Sequence, residues 1–345
     1  MSALAWHGVR TPRDRVSLRV HGRSALVCVA LLVATLAVGV AGVGTGDYPL
    51  SPAEVIATLV GHGDPASAFI VETLRLPRVL TALLVGGAFG IAGAMFQSIS
   101  RNPLGSPDVT GFTMGAATGA LVAILLVRGT ALQIGLGAVT GGTVTAIVVY
   151  LLALRHGVHG YRLVLVGIGV SAMLESVNAY LLTRAARDDA FVAAHWLVGS
   201  LNGRGWEHVW PVAAALALLV PLALALSRRL TMLEMGDDAA CALGVRAERS
   251  RLAVIFVAVG LTAVGTASTG PVAFVALAAP QLARRLNRAA APGLISSALM
   301  GALLLAASDL AAQRVLDRDL PVGVVTGAVG GAYLGWLLWR GWRTA

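Results

Sequence analysis

Residues 74–111 read LRLPRVLTALLVGGAFGIAGAMFQSISRNPLGSPDVTG, and this stretch decides the fold. It opens with Arg75 and Arg78, continues through an apolar run rich in Gly and Ala, and closes on an Asn-Pro turn after Gln97. An apolar run of about 20 residues is long enough to cross the hydrocarbon core of a bilayer as a helix. The charged and amide side chains at its two ends indicate a membrane helix with a more specific role than anchoring.

Comparable apolar runs recur along all 345 residues, of which 57% are hydrophobic and only 12% charged. This composition is typical of a polytopic helical membrane protein without a separate soluble domain. We predict an all-α fold in which residues 24–345 form one transmembrane domain of about ten helices, the eighth of them short. The predicted spans are 24–44, 77–99, 107–127, 131–153, 162–182, 207–227, 252–270, 272–286, 293–313 and 321–339.

The Arg-rich segment 1–23 precedes the first span, whose apolar run is too long for a signal peptide, so we interpret it as an uncleaved span. With this segment inside, 18 of the 26 basic residues fall on the cytoplasmic side, which obeys the positive-inside rule and places both termini in the cytoplasm. The net charge of +9 is scattered among short loops, so topology explains it better than a nucleic-acid partner does.

Every basic residue is arginine, since the chain contains no lysine. A phosphate-binding loop of the G-x-x-x-x-G-K-[ST] type and a Schiff-base site both need a lysine, so this chain has neither. The two cysteines, Cys28 in the first span and Cys241 in a predicted cytoplasmic loop, are too far apart in topology for a disulfide or a shared metal. We therefore expect a protein that is not an enzyme and holds no cofactor or metal.

Glycines recur at helical spacing in the second, third and last spans, where they allow close packing of helices in lipid. Packing within the bundle is the favoured interpretation, and a dimer interface or a moving contact is the alternative. The glycines are Gly86 and Gly90, then Gly111, Gly115 and Gly119, then Gly323, Gly327, Gly331 and Gly335.

Two acidic residues fall inside predicted spans: Glu175 in the fifth and Asp309 near the outer end of the ninth. Ionisable groups in a membrane are functional candidates by default. These two are isolated, whereas a proton-coupled transporter needs a chain of such groups, so we favour a structural role in which each is satisfied by an interhelical hydrogen bond.

The outer surface carries arginines where the positive-inside rule disfavours them. Arg75 and Arg78 lie at the entrance of the second span, and Arg314 and Arg318 precede the last. One such residue is explained by snorkelling to lipid phosphates, but a group also fits a docking surface for acidic residues of a partner. Before them, Ser51-Pro52 with Glu54 predicts the start of a short external helix.

The cytoplasmic segment 228–251 contains GDDAACALG, which predicts a short surface helix over 237–243 with Gly244 as its stop. Acidic residues in its first turn suit the helix dipole. Such a helix fits a groove on a soluble partner, although a solvated loop helix has the same pattern.

The chain resembles permease subunits of the FecCD family, the membrane part of ABC importers for ferric siderophores, haem and cobalamin. The resemblance covers nearly everything after the Arg-rich segment, in five blocks that follow one another in order. The blocks are RLPR at 75–78, Gln97 with RNPLGSPDVTG at 101–111, GDDAACALGV at 236–245, GPVAFVALAAPQLAR at 270–284 and LPVGVVTGAVGG at 320–331.

This resemblance implies the ABC importer type II permease fold in a bacterial plasma membrane. It also implies a second permease subunit, two cytoplasmic ATPase subunits that bind ATP and Mg²⁺, and an external substrate-binding lipoprotein. Transport by alternating access is implied, with all nucleotide chemistry in the partners.

The resemblance also implies roles for particular residues. Arg75 and Arg78, with Arg314 as a third candidate, match arginines that meet carboxylates of the binding protein. Segment 236–244 matches the helix that couples to the ATPase, represented by Gly236, Asp237, Ala240, Leu243 and Gly244. The cytoplasmic gate is matched by Asn102 and Leu104, with Gly160 and Tyr161 facing it.

One departure bears on the substrate. Gln281 stands where many members have His, and together with the WLVGSLNGRGWEHV connection this is similar to the ferric-siderophore branch, particularly to subunits that form heterodimers. A cobalamin or haem importer is the alternative within the family. A proton-driven secondary transporter that uses Glu175 and an intramembrane enzyme are the alternatives outside it.

Overall fold

The computed structural model describes residues 6–10, 17–154, 160–289, 293–314 and 320–342. Two short strands, Trp6–Arg10 and Ser17–His21, pair antiparallel ahead of the helices, within the segment for which the sequence predicts only a basic arm. Everything else that is regular is helical, as predicted. The helices are α1 (Gly22–Gly44), α2 (Pro52–Leu59), α3 (Pro65–Ala68), α4 (Leu76–Ser100), α5 (Phe112–Val122), α6 (Ala131–Ala153), α7 (Gly160–Arg184), α8 (Arg187–Val198), α9 (Trp206–Glu234), α10 (Asp237–Ala242), α11 (Ala247–Thr269), α12 (Val275–Asn287), α13 (Leu294–Arg314) and α14 (Val322–Trp342).

Each predicted span coincides with one of these helices. Within the described residues, seven helices are long and apolar enough to cross a membrane unaided. The third and eighth spans begin later than predicted, at Phe112 and Val275, because non-helical segments precede both. Gly111 and Gly270 take positive φ angles of 82° and 75° in those segments, which a helix does not allow.

Helices α4 and α11 form the centre of the bundle. In the apolar stretch of the helix that contains α4, 78% of the residues are buried. The corresponding share is 67% for α11 and 17% for α7. α4 packs closely on α13, where Gly86 and Gly90 lie against the backbone of Gly301 and Ser297. In the same way Gly115 and Gly119 of α5 lie against α6, so these glycines pack within the bundle as predicted.

The glycine ridge of α14 differs from the prediction. Gly323 contacts the backbone of Val198, but added Cβ atoms at Gly327, Gly331 and Gly335 would meet no atom of the described residues within 4 Å. Packing inside the bundle is therefore wrong for this ridge beyond its first residue, and the alternative, a contact with another chain, fits the open face.

The segment before α4, which the sequence predicts to be external, is more regular than predicted. Ser51 accepts a hydrogen bond from the Glu54 amide and Glu54 accepts one from the Ser51 amide, which is the capping box expected at the start of α2. From Phe69–Arg75 the chain is π-helical and runs directly into α4. The indole of Trp206 donates to the Glu72 carbonyl at 2.9 Å and so ties the start of α9 to this segment.

Candidate functional site

The predicted docking arginines gather near the end of α1. Arg75 donates to the carbonyls of Val43 at 3.0 Å and Tyr48 at 2.8 Å. Arg314, which is exposed, donates to the Thr45 hydroxyl at 2.9 Å. Arg318 lies outside the described residues. The fold thus brings Arg75 and Arg314 together from positions more than 200 residues apart.

Arg78 has an internal partner. Its guanidinium donates to both carboxylate oxygens of Asp309 on α13, with the shortest contact 2.9 Å, and the two side chains are only 17% and 4% exposed. Gln313 donates to the same carboxylate at 2.9 Å. The structural role predicted for Asp309 is confirmed, and the pair joins the N-terminal end of α4 to the C-terminal end of α13.

At the other end of α4 lies the predicted gate loop, residues 101–105. The Asn102 side chain accepts a hydrogen bond from the Leu104 amide at 2.9 Å and turns the chain, while the Leu104 side chain is 43% exposed. Gly160, at the start of α7, lies against the backbone of Ser100, and no Cβ fits there. The adjoining Tyr161 is 77% exposed and therefore flanks the loop without being buried by it.

Two glutamines fix this loop from the membrane side. Gln281 of α12 donates to the Pro103 carbonyl at 2.8 Å and to the Gln97 side chain at 2.9 Å. Gln97 in turn donates to the Leu277 carbonyl at 3.0 Å. The sequence offered Gln281 only as a clue to the substrate, whereas in the fold it contacts the gate loop.

The predicted coupling helix is present as α10, entered through Gly236 and ended at Gly244, both with positive φ. Leu243 is 58% exposed, and Gly244 and Cys241 are exposed beside it. Ala240 is fully buried against this chain. A bulky residue at Ala240 would therefore displace α10 from its own chain before meeting any partner.

Asp237, the first residue of α10, is the centre of an ion-pair network that sequence reasoning missed. It accepts hydrogen bonds from Arg251 at 2.9 Å to each oxygen and from Arg101 at 2.6 Å. Arg251 also donates to Glu248, which accepts from the Tyr150 hydroxyl at 2.6 Å. Burial acts to raise the pKa of Asp237, but the hydrogen bonds and charges of the two arginines outweigh it and lower this pKa.

A sequence signal for part of the network existed. Glu248 and Arg251 stand three residues apart at the start of α11, a spacing that places them on one helix face and predicts an ion pair. In the structure Arg251 is 4% exposed. The contact between Asp237 and Arg101, which are far apart in sequence, had no such signal.

A cavity of about 370 Å³ lies between the loop before α5, α7 and the start of α14. It is lined by Asp108, Glu175 and Asn178 among largely apolar residues. Glu175 is exposed and makes no hydrogen bond or ion pair among the described residues, so the interhelical hydrogen bond expected for it is wrong. No group of three or more His, Cys, Asp or Glu in the described part of the chain is placed to hold a metal ion.

Comparison with known proteins finds matches over most of the chain. A profile of the FecCD transport family matches residues 31–340. The ferric enterobactin transport system permease protein FepG of Escherichia coli is 48% identical over 91% of this chain and 96% of its own. The achromobactin transport system permease protein CbrC of Dickeya dadantii is 37% identical over 97% of this chain and 96% of its own.

A solved structure supports the same assignment. It is described as an inward-facing conformation of a metal-chelate type ABC transporter, and it superposes with a TM-score of 0.82 at 28% identity, covering 92% of this chain and 99% of that one. Since the family profile matches most of its length, this chain belongs to the FecCD transport family.

Proposed function

We propose that this chain is one permease subunit of an ATP-driven importer that carries a ferric siderophore across the bacterial plasma membrane into the cytoplasm by alternating access. The observation that carries the proposal is the 48% identity to a ferric enterobactin permease over 91% of the chain. Permeases named for achromobactin and Fe(3+)-citrate are also similar to it, which supports an iron chelate as the substrate class.

ATP and Mg²⁺ are bound in this proposal by two cytoplasmic ATPase subunits, since a chain without lysine has no phosphate-binding lysine of its own. Both termini and α10 face the cytoplasm, in agreement with the arginine bias. The exposed surface of α10 around Leu243 would then meet the ATPase, and Ala240 would hold α10 on its own chain.

On the outer face, Arg75 and Arg314 are the docking charges for an external binding lipoprotein, because both lie near the end of α1 and Arg314 is exposed. Arg78 stabilises this surface through its ion pair with Asp309. Asn102, Leu104, Gly160 and Tyr161 are assigned to the cytoplasmic gate, since the close contact of Gly160 with Ser100 brings the two segments together.

The second permease subunit would pack on the open glycine ridge of α14, where Gly327, Gly331 and Gly335 leave room for the backbone of another helix. A different partner chain, giving a heterodimer, is favoured over a second copy because Gln281 and the WLVGSLNGRGWEHV connection are similar to those of family members that form heterodimers.

The test is uptake of radioactive ferric siderophore into proteoliposomes that contain this chain, its genomic neighbour permease, the ATPase and the binding protein. We expect uptake that requires ATP on the ATPase side and stops when the ATPase is omitted. Uptake that follows a proton gradient without ATP would contradict the proposal and favour a secondary transporter. A matched reconstitution loaded with cobalamin or haem tests the substrate class.

A further inference from the structure

Helix α10 and the gate loop share one carboxylate. Asp237 opens α10, while Arg101 immediately precedes Asn102 of the gate loop, and the Arg101 guanidinium donates to Asp237 at 2.6 Å. The same guanidinium donates through Nε to the Leu233 carbonyl at 3.1 Å, in the last turn of α9. Arg101 therefore holds both sides of the corner at which α9 turns into α10.

The backbone of Arg101 places this contact at the end of α4. Arg101 ends α4 with a φ of 49°, in the left-handed region that a residue with a side chain rarely adopts. Because the side chain is attached at the point where α4 stops, a displacement of α10 acts on the first residue of the loop. The loop is attached on its other side, where Gln281 binds the Pro103 carbonyl.

The two arginines on Asp237 differ in burial. Arg251 is 5% exposed at its side chain and is bound further to Glu248, which accepts from Tyr150 of α6. Arg101 is 45% exposed and Asp237 39%. Water and salt screen the contact with the half-exposed Arg101 more strongly than the contact with the buried Arg251, so the contact with Arg101 breaks more readily.

We propose that Arg101 is a positioning residue that couples α10 to the cytoplasmic gate loop, and that Arg251 is the fixed anchor about which Asp237 moves. When a partner displaces α10, the Asp237 carboxylate keeps Arg251 and releases or regains Arg101. Release frees residues 101–105 to pivot on the Gln281 contact, and recapture restores the arrangement described above. This inference rests on the proposed function, since it takes the ATPase as the partner that moves α10.

The experiment uses the complete reconstituted importer with Arg101→Gln in this chain. Uptake and ATP hydrolysis are measured in the same proteoliposomes, and assembly is measured by size-exclusion chromatography of the complex. We expect uptake per ATP hydrolysed to fall at least five-fold while assembly and the ATPase rate are retained. Arg249→Gln is the matched control, because Arg249 is an exposed arginine on the same surface, outside the contacts of Asp237.

A second variant keeps the test decisive where Arg101→Gln fails to assemble. Asp237→Asn preserves the shape of the side chain and removes its charge, and because it weakens the contacts with both Arg101 and Arg251, a fall in uptake per ATP at least as large is expected from it. Because both changes act on the contact between Arg101 and Asp237, the double variant should be no worse than Asp237→Asn alone. Wild-type uptake per ATP in the assembled variants, or a double variant whose loss is the product of the two single losses, would overturn the inference. Absence of ATP-dependent uptake in the wild-type complex would instead contradict the proposed function.

Discussion

Helix α4 is held by an arginine at each end, and the two ends are built differently. At the end proposed to be outer, Arg78 and Asp309 form an ion pair whose side chains are 17% and 4% exposed. At the end proposed to be cytoplasmic, one carboxylate, Asp237, is shared by a buried arginine and a half-exposed one. An ion pair withdrawn from water is costly to break, whereas an exposed one contributes little, so the same chemistry fixes one end and leaves the other adjustable.

The largest expected effect follows from breaking the ion pair at the fixed end. Asp309→Ala leaves the Arg78 guanidinium in the bundle without its carboxylate, and we expect the free energy of unfolding in detergent to fall by about 3–5 kcal/mol. The measurement is thermal or denaturant unfolding of the purified chain. Glu175→Ala is the control, since Glu175 is also an acid within a span but is exposed. An equal effect of both changes would show that the outer pair contributes no special stability.

The second prediction compares the two arginines of the adjustable end. Arg251→Gln removes the buried cation that donates to Asp237 and Glu248, whose side chains are 39% and 41% exposed, and should lower the free energy of unfolding by about 1.5–3 kcal/mol. Arg101→Gln removes only the half-exposed contact and should cost less than about 1 kcal/mol. Unfolding of the two single variants under one condition checks the difference. Equal costs would remove the distinction between anchor and releasable contact.

The third prediction asks whether the gate loop is fixed from the membrane side. Gln281→Leu leaves the Pro103 carbonyl and the Gln97 side chain without their donor, and an unsatisfied buried group costs about 1–3 kcal/mol. We expect a lower thermal midpoint and faster proteolytic cleavage within residues 101–105. Gln133→Leu, which alters an exposed helix cap on α6, should leave cleavage of that loop unchanged. A loop as resistant as in the wild type would contradict this attachment.

The smallest effect concerns docking at the outer face. Arg314→Gln should weaken binding of the external binding protein by about two- to five-fold, corresponding to an exposed charge contact of about 0.5–1 kcal/mol. The loss should be larger at low salt, where exposed charges are least screened. Surface plasmon resonance at two salt concentrations measures it. Arg128→Gln is the control, as Arg128 is exposed and already faces Asp189. Equal effects of the two changes would remove Arg314 from the docking surface.

Local signals predicted the fold well. The helices follow from apolar runs of sufficient length, α2 from its capping box, and α10 from the acidic first turn and the glycine stop. Each of these depends on residues within a few positions of one another. Helix α8 was missed because Arg187–Val198 is polar at its start and too short to be a span.

Contacts between distant parts of the chain could not be predicted from such local signals. The sequence marked Arg78 and Asp309 separately, and only packing of α4 on α13 pairs them across 231 residues. Likewise Ala240 matched a family pattern, but which face of a six-residue helix it occupies depends on how α10 lies on α9 and α11. The shared carboxylate at Asp237 arises from the same tertiary arrangement.

The exposure of Cys241 on α10 has a practical consequence. The other cysteine, Cys28, lies half-buried in α1, so a bulky water-soluble maleimide should react first with Cys241 in the native chain. A fluorophore can therefore be placed on the surface proposed to meet the ATPase without engineering a single residue. Its accessibility, followed with time, would report occupancy of that surface in the assembled complex.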